Sequence, residues 1–171
     1  MNAQKIVDIL LEEEEEDFDA YFSAALTPKE AYTMACTNPE LIPTLERAIA
    51  TNAMYSLYYA KNVLKGQFPA GEPAIATDAT YSLYYAKDVL EKPFPAGEPA
   101  IATDARYSYS YANCVLKKPF PAGEPAIAED AVWSYDYALN VLERRFPAGE
   151  PAIATKRDYA QDYNKKFGTN L

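Results

Sequence analysis

The sequence predicts an all-α fold: an α-solenoid of stacked 26-residue two-helix repeats, closed at its start by an N-terminal capping helix. Three observations predict it. The phrase FPAGEPAIA starts at Phe68, Phe94, Phe120 and Phe146, each time 26 residues further on, with no insertion or deletion. The segment before each phrase carries apolar residues at helical spacing. A unit this short cannot bury its apolar stripe alone, and only a stacked neighbour can cover it.

The elements follow in chain order. In residues 1–21 the residues Ile6, Ile9, Leu10, Phe18 and Tyr21, continued by Phe22, form a helix-like stripe that would cover the first repeat. Residues 22–171 hold the solenoid, with units near 22–47, 48–73, 74–99, 100–125 and 126–151 and a truncated copy at 152–171. The first unit is degenerate: Ile42-Pro43, Glu46, Ala48, Ile49 and Ala50 stand in register with the clear phrase. The last unit keeps Tyr159 and Tyr163 but has Asn164 and Gly168 where earlier copies have Ala86 and Leu90, as suits a polar terminal face.

Within a unit, Tyr81, Tyr85, Ala86 and Val89 lie on one helical face. Asp78, Asp104 and Asp130 precede their helices as N-caps. Lys92, Lys118, Arg144 and Arg145 fall in or just after the last turn, where cations suit the helix dipole, and Gly66 reads as the helix stop of the first clear copy. In FPAGEPAIA neither proline fits deep inside a helix, yet each fits a first turn. The expectation is a short second helix of about two turns, from one of the two prolines to Ala102.

Composition narrows the class. With 171 residues, 49% of them hydrophobic, the chain can bury a core as one domain. No run approaches the roughly 18 apolar residues of a membrane span. The start MNAQKIVDILL runs straight into EEEEED without a basic region or cleavage-like ending. No signal peptide is therefore expected, and the expected location is cytoplasmic. Cys36 and Cys114 occupy one repeat position three periods apart, too far apart to pair in a stacked array. Asn62, Asp88 and Asn140 fill that position elsewhere, which places it near the surface.

The net charge of −9 is uneven: residues 1–50 hold 11 acidic and 3 basic residues, and residues 51–171 hold 14 and 13. The acidity centres on Glu12, Glu13, Glu14, Glu15, Glu16 and Asp17. That run is a candidate contact for a basic partner surface, weighed against a solvated helix face.

Two aromatic ladders recur. Tyr55, Tyr81, Tyr107, Trp133 and Tyr159 make one, and Tyr59, Tyr85, Tyr111, Tyr137 and Tyr163 the other. Aromatic ladders can stack sugars or bases. These share the face of Ala86 and Val89 and are read as core, each hydroxyl reaching a rim or a backbone carbonyl. Two further positions change from copy to copy. One holds Leu57, Leu83, Tyr109, Tyr135 and Gln161, and the next holds Tyr58, Tyr84, Ser110, Asp136 and Asp162. Packing does not dictate them, so Tyr58, Tyr84, Tyr109, Tyr135 and Asp136 are candidate partner-binding residues. The recurring Glu46, Glu72, Glu98, Glu124 and Glu150 read as first-turn residues satisfying free N–H groups of the short helix. A repeat apart, they are too distant to share a calcium ion.

Catalysis is not expected. The chain has no histidine, which excludes Ser-His-Asp and Cys-His sites and any His-ligated metal. Its six glycines form no phosphate-cradling loop. No cofactor or metal is expected.

The stretch YSYSYANCVLKKPFPAGEPAIAEDAVWSYDYALNVLERRFPAGEPAIA resembles short repeats found in many uncharacterised phage and bacterial proteins. Their unit reads Ala-Tyr-x-Tyr-Ala-x-x-Val-Ile/Leu followed by a Trp/Phe-Pro-x-x-Glu-Pro-x-Ile-Ala turn, and the likeness is best over residues 48–155. The resemblance implies an all-helical repeat and a phage or bacterial setting, without an assigned activity. The expected role is a non-enzymatic module that binds a host or cellular protein, by analogy to inhibit or retarget it. Two alternatives stand beside it: an acidic mimic of DNA acting through the N-terminal run, and a homo-oligomeric assembly component. A mimic would spread charge along its length, which residues 51–171 do not. Direct nucleic-acid binding lacks a basic stripe.

Overall fold

A computed structural model describes residues 26–38 and 42–171. Every regular element among them is helical, and the chain divides into two compact units, Met1–Ile75 and Ala76–Leu171. The predicted N-terminal capping helix lies outside the described residues.

The first unit begins with α1 (Pro28–Thr37). Thr27 and Glu30 form a reciprocal capping box at its start, Thr27 N–H to Glu30 Oε2 at 2.9 Å and Glu30 N–H to Thr27 Oγ1 at 3.3 Å. Helix α2 (Ile42–Ile49) follows, and together they form the degenerate repeat in the expected register. The first clear copy is α3 (Ala53–Tyr58), continued as a π-helix over Tyr59–Leu64, then a 3₁₀ turn (Pro69–Gly71) leading into α4 (Glu72–Ile75).

The second unit repeats this plan. Helix α5 (Ala79–Tyr85) widens to π over Ala86–Leu90 and is followed by α6 (Glu98–Ile101). Helix α7 (Ala105–Tyr111), with its π segment Ala112–Leu116, precedes α8 (Glu124–Ala128). Helix α9 (Ala131–Tyr137), with Ala138–Leu142, precedes α10 (Glu150–Ala154), and α11 (Arg157–Phe167) closes the chain. Consecutive long helices of this unit pack side by side. A π turn often marks a functional site. Here it recurs in every clear copy, so it belongs to the scaffold.

The caps follow the sequence. Asp78, Asp104 and Asp130 accept the first-turn amides of α5, α7 and α9, with Tyr107 N–H to Asp104 Oδ1 at 3.0 Å. Asn52 does the same for α3. The short helix starts at the first proline of its phrase: Pro95 opens the 3₁₀ turn and Pro99 sits in the first turn of α6.

Gly66 is not the helix stop. The left-handed residue is the one before it, Lys65 (φ 52°), and its equivalents are Glu91, Lys117 and Glu143. The stop comes instead from backbone bonding: Lys65 N–H and Gly66 N–H both reach Ala60 O, which closes the π end. Only Gly168, which ends α11, carries a positive φ at glycine, 68°.

The core is built from the repeated positions. Ile75, Ile101, Ile127 and Ile153 are fully buried, each contributing about 1.5–3 kcal/mol. Phe68, Phe94, Phe120 and Phe146 meet Tyr59, Tyr85, Tyr111 and Tyr137 edge to face at 4.9–5.3 Å between centroids. A buried serine recurs under each phrase, with Ser108 Oγ donating to Ile101 O at 2.9 Å and Ser134 Oγ to Ile127 O at 2.7 Å. The glycine of the phrase lies directly over it. A Cβ on Gly97 would stand 2.5 Å from Ser82 Cβ, so the close approach of short and long helix requires glycine.

Within each unit, neighbouring copies are joined by tyrosines of the inner ladder, all of which is buried. Tyr111 Oη donates to Glu98 Oε1 (2.9 Å) and accepts from Phe94 N–H (2.9 Å). Tyr137 repeats this with Glu124 (2.9 Å) and Phe120 (2.8 Å), and Tyr163 with Glu150 (3.1 Å) and Phe146 (2.7 Å). The ladder is core, as expected, but its hydroxyls bond a carboxylate and an amide rather than a rim or a carbonyl. Glu46, Glu98, Glu124 and Glu150 are likewise inter-repeat acceptors rather than caps of the short helix. Burial chiefly, and then the facing glutamate, hold the Tyr59, Tyr111 and Tyr137 phenols far above their ordinary pKa.

Candidate functional site

With the invariant positions committed to packing, the copy-variable side chains line the grooves between consecutive long helices. Between α5 and α7 a cavity of about 110 Å³ is lined by Leu83, Tyr84, Lys87, Arg106, Tyr107, Ser110 and Cys114. Tyr84 is 40% exposed, and the Arg106 guanidinium lies 5.9 Å from the Tyr107 ring centre. The Tyr107 hydroxyl also hydrogen-bonds Thr80 Oγ1 at 2.8 Å.

One repeat on, between α7 and α9, Tyr109 packs on Trp133 at 5.5 Å. Its hydroxyl accepts from Asn140 Nδ2 at 3.1 Å and Asn113 Nδ2 at 3.4 Å. Between α9 and α11, Tyr135 packs on Tyr159 at 5.1 Å. Burial, then the charges of Asp162 and Asp136, push the Tyr135 phenol up, so both carboxylates border this pair. Partial burial raises the Asp136 carboxyl as well. In the first unit the equivalent groove between α1 and α3 is filled by Tyr32, 5.9 Å from Tyr55 and 6.2 Å from Tyr58, with Asn62 Nδ2 donating to its hydroxyl at 3.1 Å.

Each candidate can now be placed. Tyr58, 41% exposed, and Tyr84 stand on the surface, while Tyr109, Tyr135 and Asp136 are half-buried at groove walls. The first variable position differs along the chain: Leu57 and Leu83 are buried, Tyr109 and Tyr135 are half-buried and Gln161 is exposed. Glu12, Glu13, Glu14, Glu15, Glu16 and Asp17 lie outside the described residues. Cys36 and Cys114 are both exposed, and Cys114 borders the α5–α7 groove.

Three features escaped the sequence reading. Arg106 and Lys87 converge with Tyr84 and Tyr107, a meeting visible only after the 26-residue register is laid side by side. Arg145 forms a two-pronged pair with Glu150, Nε to Oε1 and Nη2 to Oε2 both at 2.8 Å, which lowers the Glu150 pKa. Asn164 receives the chain end, accepting from Leu171 N–H (2.9 Å) and Thr169 Oγ1 (2.6 Å) and donating to Leu171 O (3.2 Å).

Among the described residues no three histidine, cysteine, aspartate or glutamate side chains gather at metal-binding distance. No helix among them is long and apolar enough to cross a membrane. Fold and surface together define an all-α helical-repeat protein. Comparison with protein-family models, curated proteins and solved structures returns no match.

Proposed function

We propose that the chain is a non-enzymatic protein-binding module whose specificity lies in the grooves between its long helices. The observation that carries this reading is the division of labour within each repeat. Recurring residues are buried or bonded between copies, whereas Tyr84, Ser110, Asp136 and Asp162 occupy one repeat position with different chemistry along one surface. A helical solenoid presents such a surface for partners, and loss of identity at one position is what selectivity for one target requires. In the phage or bacterial setting implied by the repeat resemblance, the partner is a host protein that the module blocks or retargets.

The test is capture of tagged protein partners from a bacterial lysate at low and high salt. A single host protein retained at high salt supports the reading. Basic nucleic-acid-binding proteins lost as salt rises would favour the acidic-mimic alternative, and an empty eluate from a folded bait overturns the module reading.

A further inference from the structure

In residues 76–171, two of the grooves between long helices are occupied by a ring of the chain itself. Between α7 and α9 the Tyr109 ring lies on Trp133, and between α9 and α11 the Tyr135 ring lies on Tyr159. Twenty-six residues before Tyr109 and Trp133 stand Leu83 and Tyr107, which line the α5–α7 groove. Leucine brings no ring to Tyr107, and a cavity of about 110 Å³ lies against both side chains. The outer wall is thinned as well. In the α1–α3 groove Tyr32 packs on Tyr55 and Tyr58. Tyr84, Tyr107 and Ser110 hold those three positions in the α5–α7 groove, so serine replaces one ring. Tyr84 has no ring contact among the described residues and stays 40% exposed. The cavity also carries Lys87 and Arg106, both exposed and neither in an ion pair among the described residues. The next copy has Asn113 and Val132 at those positions, so the pair of cations belongs to this groove.

We propose that the α5–α7 groove is the anchor pocket of the module, and that it takes an aromatic side chain of the partner protein with a carboxylate beside it. The partner's ring lies on Tyr107 between Leu83 and Tyr84, as Tyr109 lies on Trp133 one copy on. An apolar cavity of about 150 Å³ takes up benzene, so the space here suits one ring and little more. The neighbouring carboxylate meets Lys87 and Arg106, which fixes the direction in which the partner segment runs. A ring seated in a pocket with charges at its edge is the arrangement that concentrates binding energy in a few residues. The inference rests on the proposed function and adds the chemistry that the partner presents.

The test titrates the full chain with N-acetyl-aspartyl-tyrosine amide to about 10 mM and follows the backbone amides by NMR. The expected result is a saturable shift centred on Leu83 and Tyr107. The aspartyl-alanine and lysyl-tyrosine counterparts bind roughly fivefold or more weakly, since each lacks one of the two groups. Leu83→Tyr supplies the missing ring from within, leaves the melting temperature unchanged or raised, and abolishes the shifts. Lys87→Gln and Arg106→Gln alter exposed side chains. Each weakens the acidic probe roughly two- to fivefold and does not weaken the lysyl probe. No shift at the highest concentration, shifts that survive in folded Leu83→Tyr, or equal binding of acidic and basic probes overturns the proposal. If Leu83→Tyr does not fold, the two glutamine variants decide. Capture of a host protein by wild type and by folded Leu83→Tyr alike removes this pocket and leaves the module reading standing. A probe that binds while the lysate yields no partner does the reverse.

Discussion

Replacing Tyr137 by phenylalanine tests how the copies are joined. The hydroxyl accepts from Phe120 N–H at 2.8 Å and donates to Glu124 Oε1 at 2.9 Å, in a fully buried position. Phenylalanine keeps the ring contact with Phe146 at 5.3 Å and removes only the oxygen. The amide of buried Phe120 then has no acceptor, which costs about 1–3 kcal/mol. For a chain of this size that lowers the melting temperature by about 3–9 °C. Urea unfolding followed by circular dichroism measures it. Tyr135→Phe is the control: no hydrogen bond of its hydroxyl is seen among the described residues, and the change should stay within about 0.5 kcal/mol. Combining Tyr137→Phe with Glu124→Gln should cost less than the sum of the two, since both break one bond. Tyr137→Phe indistinguishable from wild type would refute the bonding scheme, and by periodicity its counterparts at Tyr111 and Tyr163.

Other outcomes follow from the same geometry. Lys117→Gly, at φ 53°, should raise stability by up to about 1 kcal/mol in urea unfolding, because a side chain in the left-handed region is strained. The raised phenols of Tyr59, Tyr111 and Tyr137 stabilise the fold fully below the unfolded tyrosine pKa of about 10, and that stability is lost as pH rises further. Ultraviolet titration should therefore show these phenols ionising only together with alkaline unfolding. The depressed Glu150 pKa contributes stability above the unfolded carboxylate value of about 4.3 that fades as pH falls. Arg145→Gln should raise the Glu150 pKa in an NMR titration and flatten that acid limb.

Much of this fold could be read from the chain. The period located every described repeat, and Asp78, Asp104 and Asp130 announced the helix starts because a short acceptor before an apolar face has one economical use. The π widening could not be read, since burial of both Tyr85 and Ala86 fits either helix type. The left-handed stops were hidden because Lys65, Glu91, Lys117 and Glu143 are not the residues that favour that region. Two signals were present and unread. Ser82 and Gly97 recur together because the helices touch there, and Glu98 recurs thirteen residues before Tyr111 because they bond. In the candidate site, Leu83 was misjudged because a change from leucine to tyrosine alters size and leaves the position apolar, so variation alone did not imply exposure. Tyr84, whose position changes to Ser110 and then Asp136, is exposed as its variation suggested, because there polarity itself varies.

The most direct test of a repeated scaffold bearing a variable site is to make the variable position uniform. Tyr84→Ser, Asp136→Ser and Asp162→Ser together give every copy in residues 76–171 the serine that Ser110 already supplies. Melting and partner capture are then measured on one preparation. The account predicts a melting temperature within about 3 °C of wild type, as befits surface changes, together with loss of the captured partner. Unchanged capture, or collapse of the fold, would contradict it.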